Sequence, residues 1–362
     1  MVEKNMNKKI KILYIVEAMG GGVFTYIVDL ANELVNVYDI YIAYGIRKQT
    51  PENYKDYFDR RINLIEVHNF CRSINIKKDF AAFFEIRKIA KKVKPDLIHL
   101  HSSKAGALGR FAFNGKKIPL FYTPHGYSFL MQDSSMVKRQ LYKLIEIICG
   151  MRHCTTISCS VGENRESQKL TKNTTFVSNG INIIELQRLI ENVSTTEKHS
   201  FTVFTLGRIC YQKNPELFNK IAESFPDIRF VWIGDGELRA ELKSPNIEIT
   251  GWTERENALK YSMNGDIFLL TSRWEGLPIS LLEAMYMKKV CVVSNVIGNR
   301  DVIQTGKNGF ICNSLKEYVS TIQMLKNDSS DKIINQAFKD IITIYNTQEQ
   351  AKEYSQIYNK IR

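Results

Sequence analysis

Two carboxylates, Glu275 and Glu283, stand eight positions apart in Thr271–Glu283 (TSRWEGLPISLLE), where the apolar run Ile267–Leu270 passes into a helical segment. A carboxylate in the loop at a strand's carboxyl end accepts hydrogen bonds from hydroxyl pairs, and the free amides of the following helix meet an anion. Gly207-Arg208 follows a second apolar run, Thr202–Leu206, and Lys213 comes five residues after Arg208. In an open α/β sheet such strand ends face the ligand crevice, where an Arg fork and a Lys point charge neutralise a diphosphate. Gly20-Gly21-Gly22 separates the first strand from the first helix and permits close backbone approach to a phosphate. It is not G-x-G-x-x-G and no Gly-Lys-Ser/Thr follows, so it meets neither the dinucleotide fingerprint nor the P-loop. Each feature keeps a plain alternative: a tight turn at the glycines, solvated cations at 208 and 213, an ion pair on a solvated face for Glu283.

Other residues carry less. His99 and His101 alternate on one face of a strand and are followed by Ser102-Ser103-Lys104, which reads as the polar wall of a cleft; zinc would need a third ligand that the sequence does not display. No Asp-x-Asp pair or His/Cys spacing suggests a metal site. Seven scattered cysteines form no C-x-x-C and read as small buried side chains, reduced as in a cytosolic protein. Phe80, Phe83 and Phe84 have helical spacing and are expected to form a core face.

These residues need a scaffold, and the hydropathy pattern supplies one. Strands are expected at Lys11–Val16, Ile40–Tyr44, Asn63–Val67, Leu97–His101, Leu120–Thr123, Cys154–Ile157 and Thr175–Val177. Helices fall between them at Phe24–Val35, Phe80–Val93, Ala105–Phe113, Met136–Cys149 and Val161–Lys169. After a break around 180–200, with Val193–Ser200 as the most linker-like stretch, the alternation restarts with strands Thr202–Leu206, Arg229–Ile233, Ile247–Ile249, Ile267–Leu270 and Val290–Ser294. Helices are expected there at Pro215–Ser224, Leu238–Leu242, Asn257–Met263, Ser280–Met287 and Leu315–Lys326. Strict βα alternation means parallel sheets covered by helices, here two doubly wound, Rossmann-like α/β domains facing a cleft. The expected boundaries are 1–182, 183–345 and a final helix, 346–362, whose stripe Ala351, Tyr354, Tyr358 and Ile361 returns to the first domain. With 362 residues, 44% hydrophobic and 24% charged, the chain is neither disordered, collagenous nor a disulfide-stapled miniature. No apolar run approaches the ~18–20 residues of a membrane span, and basic residues followed by Ile10–Val16 read as a first strand, not a leader.

Taken in order, these motifs resemble the retaining GT-B glycosyltransferases of family 4 (GT4), over nearly the whole chain. The E-x7-E signature, Glu275 to Glu283 in EGLPISLLEAM, is the strongest piece. In register with it stand the turn at 20–22, Pro124-His125-Gly126, Asn179-Gly180-Ile181, Gly207-Arg208 with Lys213, Ile233-Gly234-Asp235-Gly236 and Gly251-Trp252. The resemblance implies a nucleotide-sugar donor in the second domain and an acceptor in the first. It implies that Arg208 and Lys213 hold the donor diphosphate, Glu283 the ribose hydroxyls and Glu275 hydroxyls of the transferred sugar. The loop Gly276, Leu277, Pro278 and Ile279 would hold phosphate and sugar through its free amides, Gly251 and Trp252 the base, and Gly21 and Gly22 would reach over the phosphates. His125 matches the histidine at the reacting face of the sugar, so His125, Glu275, Arg208 and Lys213 are the implied catalytic set. Two places depart from the family pattern: Asn182 replaces the frequent Asp after Asn-Gly-Ile, and Val23-Phe24 replaces an acidic-basic pair found in some members.

The implied reaction needs neither metal nor cofactor beyond the nucleotide-diphosphate sugar, a UDP-sugar in preference. Cations and helix termini steady the leaving diphosphate. Transfer retains configuration by front-face displacement, with Glu275 orienting the sugar and not attacking it, unlike the paired carboxylates of most glycoside hydrolases. A GT-B nucleotide-sugar epimerase or hydrolase, and an idle carbohydrate-binding subunit, stay open as alternatives.

Charge points to a partner. The formal net charge is +12, and residues 1–178 hold all of the excess, with 28 basic and 16 acidic side chains. A basic first domain suits the inner leaflet of the cell membrane, where each near-surface cation contributes roughly 1 kcal/mol. The expectation is a cytoplasmic protein, peripheral on that membrane, reaching a polyprenyl-diphosphate-linked saccharide for capsule, O-antigen or related surface polysaccharide; a plain solubility effect is the alternative. No nucleic-acid partner is expected, since no RNP, helix-turn-helix or finger pattern occurs.

Overall fold

Short apolar runs bounded by turn residues become parallel strands buried on both faces. The computed structural model describes residues 9–47, 49–71, 73–191, 200–327 and 330–360. Most of the expected linker, and Ile361 of the last stripe, lie outside the described residues. Two compact units result, one of Met1–Leu130, Met136–Asn179 and Thr347–Arg362, the other of Met131–Ser135 and Gly180–Asn346.

The first unit begins with β1 (Lys11–Met19), α1 (Gly21–Leu34), β2 (Asp39–Ile46), β3 (Asn63–Glu66) and α2 (Ile76–Val93). It continues with β4 (Leu97–His101), α3 (Ser103–Ala112), β5 (Leu120–Thr123), α4 (Met136–Gly150), β6 (Thr155–Ser158), α5 (Val161–Gln168) and β7 (Thr174–Phe176). All seven strands pair in parallel in the order β3-β2-β1-β4-β5-β6-β7. Alternation along β1 divides the core: Ile12, Tyr14 and Val16 join the cluster built with α1, and Leu13 and Ile15 face the cluster built with α2 and α3.

The second unit runs through α6 (Ile183–Glu191), β8 (Thr202–Leu206), α7 (Pro215–Glu223), β9 (Arg229–Ile233), β10 (Ile247–Ile249), α8 (Arg255–Met263) and β11 (Ile267–Leu270). It ends with α9 (Ile279–Tyr286), β12 (Val290–Ser294), α10 (Asn299–Val302), β13 (Phe310–Cys312), α11 (Leu315–Asn327) and α12 (Asp331–Thr343). Its six strands are parallel in the order β10-β9-β8-β11-β12-β13. The last helix, α13 (Thr347–Asn359), belongs to the first unit, where Ala351, Tyr354 and Tyr358 are buried in the cluster of α1 and β1. All seven cysteines are free thiols, and Cys71 and Cys210 alone among them are not buried.

Several expectations are corrected. Phe80 and Phe84 are 65% and 50% exposed; Ala82, Ile86, Ala90 and Val93 are the face that α2 buries. Small and branched side chains let α2 approach the sheet closely, which leaves the aromatic stripe outside. The helix expected at Leu238–Leu242 is only a 3₁₀ turn, Arg239–Glu241. Inside the expected break lies α6, whose first turn Asn182 caps by accepting the Glu185 N–H at 3.0 Å. An aspartate would make the same cap, so the cap explains a short polar side chain at 182 and not the departure itself.

Candidate active site

In an open α/β sheet ligands gather where strand order reverses, outside the carboxyl ends. In the second unit that reversal lies between β8 and β11, which are hydrogen-bonded neighbours. The loop after β8 carries Gly207, Arg208 and the 3₁₀ turn Tyr211–Lys213; the loop after β11 carries Glu275 to Pro278.

The two loops are sewn together. Lys213 Nζ donates to Glu275 Oε1 at 2.8 Å, with both side chains largely enclosed. Gln212 Nε2 donates to the Trp274 carbonyl at 3.0 Å and to Glu275 Oε2 at 3.3 Å. Thr271 Oγ1 donates to the Lys213 carbonyl at 2.8 Å, and the Arg273 N–H to the Gln212 carbonyl at 2.8 Å. Arg208 goes elsewhere: its Nε donates to Glu237 Oε2 at 2.9 Å, in the loop that follows β9. The two expected diphosphate cations therefore have separate carboxylate partners.

Glu283, on the second turn of α9, is buried, and its Oε1 accepts from Arg255 Nη2 at 2.7 Å. Its ion pair is thus on an enclosed carboxylate, not on a solvated face. Gly251 lies after β10 and forms a bridge with Gly234, while Trp252 beside it is 68% exposed. Pro278 is the N-cap of α9 and offers no side-chain cap, so the first-turn amides of Ile279 and its neighbours are the polar groups at that end. Gly298 supports this loop from beneath: it has φ +84°, and a Cβ there would come within 2.2 Å of the Gly276 carbonyl oxygen. Any side chain at 298 would displace the loop.

In the first unit the corresponding reversal lies between β1 and β4. Gly20 is the N-cap of α1, and Gly21 and Gly22 are already its first residues, not a turn before it. Gly21 has φ +58°, and nothing lies within 4 Å of where a Cβ would stand at either Gly21 or Gly22. Beyond them Phe24, in the Val23-Phe24 pair that departs from the family pattern, is buried edge-on against Tyr57 and Phe58.

His125 follows β5 in a left-handed conformation, φ +54°. Its ring is partly enclosed, Nε2 3.1 Å from His101 Nδ1 and Nδ1 3.5 Å from Cys159 Sγ, with the Tyr26 ring edge-on at 4.5 Å. His99 hydrogen-bonds the Tyr358 hydroxyl at 2.6 Å and Thr123 Oγ1 at 2.9 Å, and its ring lies against that of His101. His99 and His101 are therefore buried members of a network with α13, not a cleft wall. Among the described residues no group of three or more His, Cys, Asp or Glu is arranged to hold a metal ion.

Burial lowers the pKa of all three imidazoles, with His125 pushed down to about 3. All three are therefore held as neutral imidazoles at pH 7. Unfolded histidines take up protons near pH ~6.5, so stability is complete above that value and falls as the medium is acidified towards about 3. The slope is at most ~1.4 kcal/mol per pH unit for each ring. The denaturant midpoint is expected to drop between about pH 7 and pH 5 and to drop less in His125→Gln; a level profile would mean the rings are solvated.

Sequence reasoning missed several supporting residues. Glu163 accepts from the Gly126 N–H at 2.6 Å and the Cys159 N–H at 2.7 Å, fixing the His125-Gly126 turn. The S-x-x-E pattern Ser160–Glu163 could have flagged it as a helix start, since Ser160 does cap α5. Gln212, Arg255 and Gly298 had no signal of their own, because long-range contacts define their roles; Tyr354 and Tyr358 were legible as a packing stripe, but not their hydroxyl contacts to Thr123 and His99.

Comparison with known proteins identifies the family. Residues 20–184 match the model "Glycosyltransferase Family 4", and residues 187–340 match "Glycosyl transferases group 1". A relative from Escherichia coli, "UDP-Gal:alpha-D-GlcNAc-diphosphoundecaprenol alpha-1,3-galactosyltransferase", is 32% identical over 309 residues, covering 77% of this chain and 78% of its own. The chain belongs to glycosyltransferase family 4. A Campylobacter jejuni member, "GalNAc-alpha-(1->4)-GalNAc-alpha-(1->3)-diNAcBac-PP-undecaprenol alpha-1,4-N-acetyl-D-galactosaminyltransferase", is 24% identical and covers 90% of this chain and 92% of its own. Among solved structures, sucrose-phosphate synthase from Thermosynechococcus elongatus superposes with a TM-score of 0.80 at 15% identity, covering 98% of this chain and 99% of that one. This glycosyltransferase accordingly has the GT-B fold.

Proposed function

We propose that this glycosyltransferase moves a hexose or N-acetylhexosamine from a nucleotide-diphosphate sugar, UDP-linked in preference, to a polyprenyl-diphosphate-linked saccharide. The transfer is retaining and metal-independent, and it serves a capsule, O-antigen or related surface polysaccharide. The observation that carries the reading is the Lys213–Glu275 pair at the strand-order reversal between β8 and β11. The printed activities of the E. coli and C. jejuni relatives, both on undecaprenol-diphosphate acceptors and one from UDP-Gal, support donor and acceptor class.

In this reading Lys213, Arg208 and the amides at the start of α9 (Gly276, Leu277, Ile279) take the diphosphate charge. Donor binding draws Lys213 and Arg208 away from Glu275 and Glu237, their carboxylate partners in this structure. Glu275 is then free to accept from hydroxyls of the sugar, and Glu283 from those of the ribose. Gly251 and Trp252 hold the base, and in the first unit Gly21 and Gly22 offer backbone amides to an anion. The C1–phosphate bond breaks as the bond from acceptor oxygen to C1 forms on the same face. The departing phosphate oxygen takes the acceptor's proton, and neutral His125 orients the reacting groups.

A thermal-shift series with UDP-, GDP- and ADP-sugars tests the donor. The UDP series should stabilise by ~2.7 kcal/mol at a hundredfold excess over Kd. Donor turnover that requires the lipid-linked acceptor supports transfer; turnover without an acceptor would show a hydrolase or epimerase instead.

A further inference from the structure

Helix α4 turns outward a face that no other described element covers. Its roll is fixed from within: Glu146 is buried, 2.6 Å from Arg110 Nη2 on α3, and accepts from the Tyr122 hydroxyl of β5 at 2.9 Å. The opposite side carries Val137, Leu141, Leu144, Ile148 and, just past the helix end, Met151, each between 40% and 81% exposed. Intervals of four, three, four and three residues put all five on one stripe.

Basic side chains flank the stripe: Lys138, Lys143 and Arg152, the last with its guanidinium 5.7 Å from the half-exposed Phe111 ring. The one acid of α4 is Glu146, held inside against Arg110. The outward face is therefore apolar and cationic, with no negative charge. Pairing α4 with α4 of a second copy would cover the stripe but bring cations against cations. An anionic lipid surface satisfies both properties at once, with phosphates for the cations and acyl chains for the stripe. No described helix is long and apolar enough to cross a membrane, so α4 would lie in the interface and not span it.

We propose that α4 is the membrane-docking element of this glycosyltransferase, lying in the headgroup region of an anionic bilayer with Val137, Leu141, Leu144, Ile148 and Met151 inserted. The proposal deepens the lipid-linked acceptor reading, on which its biological sense rests, and its test is independent of transfer. Wild-type protein should co-sediment with mixed phosphatidylglycerol–phosphatidylcholine vesicles and much less with phosphatidylcholine alone. Leu141→Gln/Leu144→Gln should weaken that binding on the order of tenfold or more, as loss of inserted apolar surface demands, with an unchanged melting temperature. Should that variant fold poorly, Leu144→Trp gives a second readout, a blue shift of its emission that requires anionic vesicles. Equal vesicle binding by wild type and the glutamine variant overturns the proposal. So does equal affinity for neutral vesicles, or a concentration-dependent dimer that the same substitutions dissolve. The transfer reading is scored separately, in detergent with solubilised acceptor: lost transfer with vesicle binding intact refutes that reading and leaves the docking element standing.

Discussion

Lys213→Ala is expected to cut turnover by roughly 10²–10³-fold, the scale for removing one preorganised group that stabilises transition-state charge. In the ligand-free fold Lys213 is already held at the end of β8: its ammonium sits 2.8 Å from Glu275, and its stem passes Gly207, where a Cβ would approach Lys213 Cε to 3.3 Å. Removing the ammonium deletes a cation that would face the diphosphate and also leaves Glu275 with only Gln212 as its side-chain hydrogen-bond donor among the described contacts. Both losses act in the same direction on kcat. Lys213→Arg keeps the charge but brings a broader, planar group into this enclosed position, so partial recovery is expected, well short of wild type. Steady-state kcat, with melting temperature followed in parallel, decides the matter. Wild-type turnover in a folded Lys213→Ala would remove this residue from the leaving-group site.

Much of the scaffold holding Lys213 was legible in the sequence, and the reason is physical. Thr202–Leu206, Arg229–Ile233, Ile247–Ile249, Ile267–Leu270 and Val290–Ser294 are strands with the bounds read from the sequence. Most of their residues are enclosed on both faces, so they appear as short apolar runs cut off by turn residues. β13 escaped notice because three residues, Phe310–Cys312, at a sheet edge make too short a run to stand out. In α2 the aromatic spacing pointed to a core face, yet Ala82, Ile86 and Ala90 are the buried residues, and small residues carry little weight in a hydropathy pattern.

The candidate site divides in the same way. Residues fixed by local sequence, such as Gly207, Lys213 and Glu275 at strand ends, could be placed by counting from the apolar runs. His99 and His101 do share one strand face, yet their setting comes from Tyr354 and Tyr358, more than 250 residues later in the chain. Spacing along a strand cannot foretell what covers it, and so a buried network read as a polar wall.

Glu275→Ala gives the second large effect, and it separates orientation from binding. If this carboxylate grips hydroxyls of the transferred sugar, transfer should fall on the order of 10²-fold, the cost of losing near-attack geometry. UDP affinity, measured calorimetrically, should stay nearly wild type, because the nucleotide end is assigned to Glu283, Gly251 and Trp252. Glu275→Gln keeps the shape and one acceptor but loses the charge that holds Lys213 at 2.8 Å, so it should fall between wild type and Ala. The double variant Lys213→Ala/Glu275→Ala is the sharper measurement. Side chains in direct contact lose function non-additively, so it should be little worse than Lys213→Ala alone. Fully multiplicative losses would mean that the pair seen at 2.8 Å does not act as one unit, and a collapse of UDP binding in Glu275→Ala would move this carboxylate from the sugar to the nucleotide.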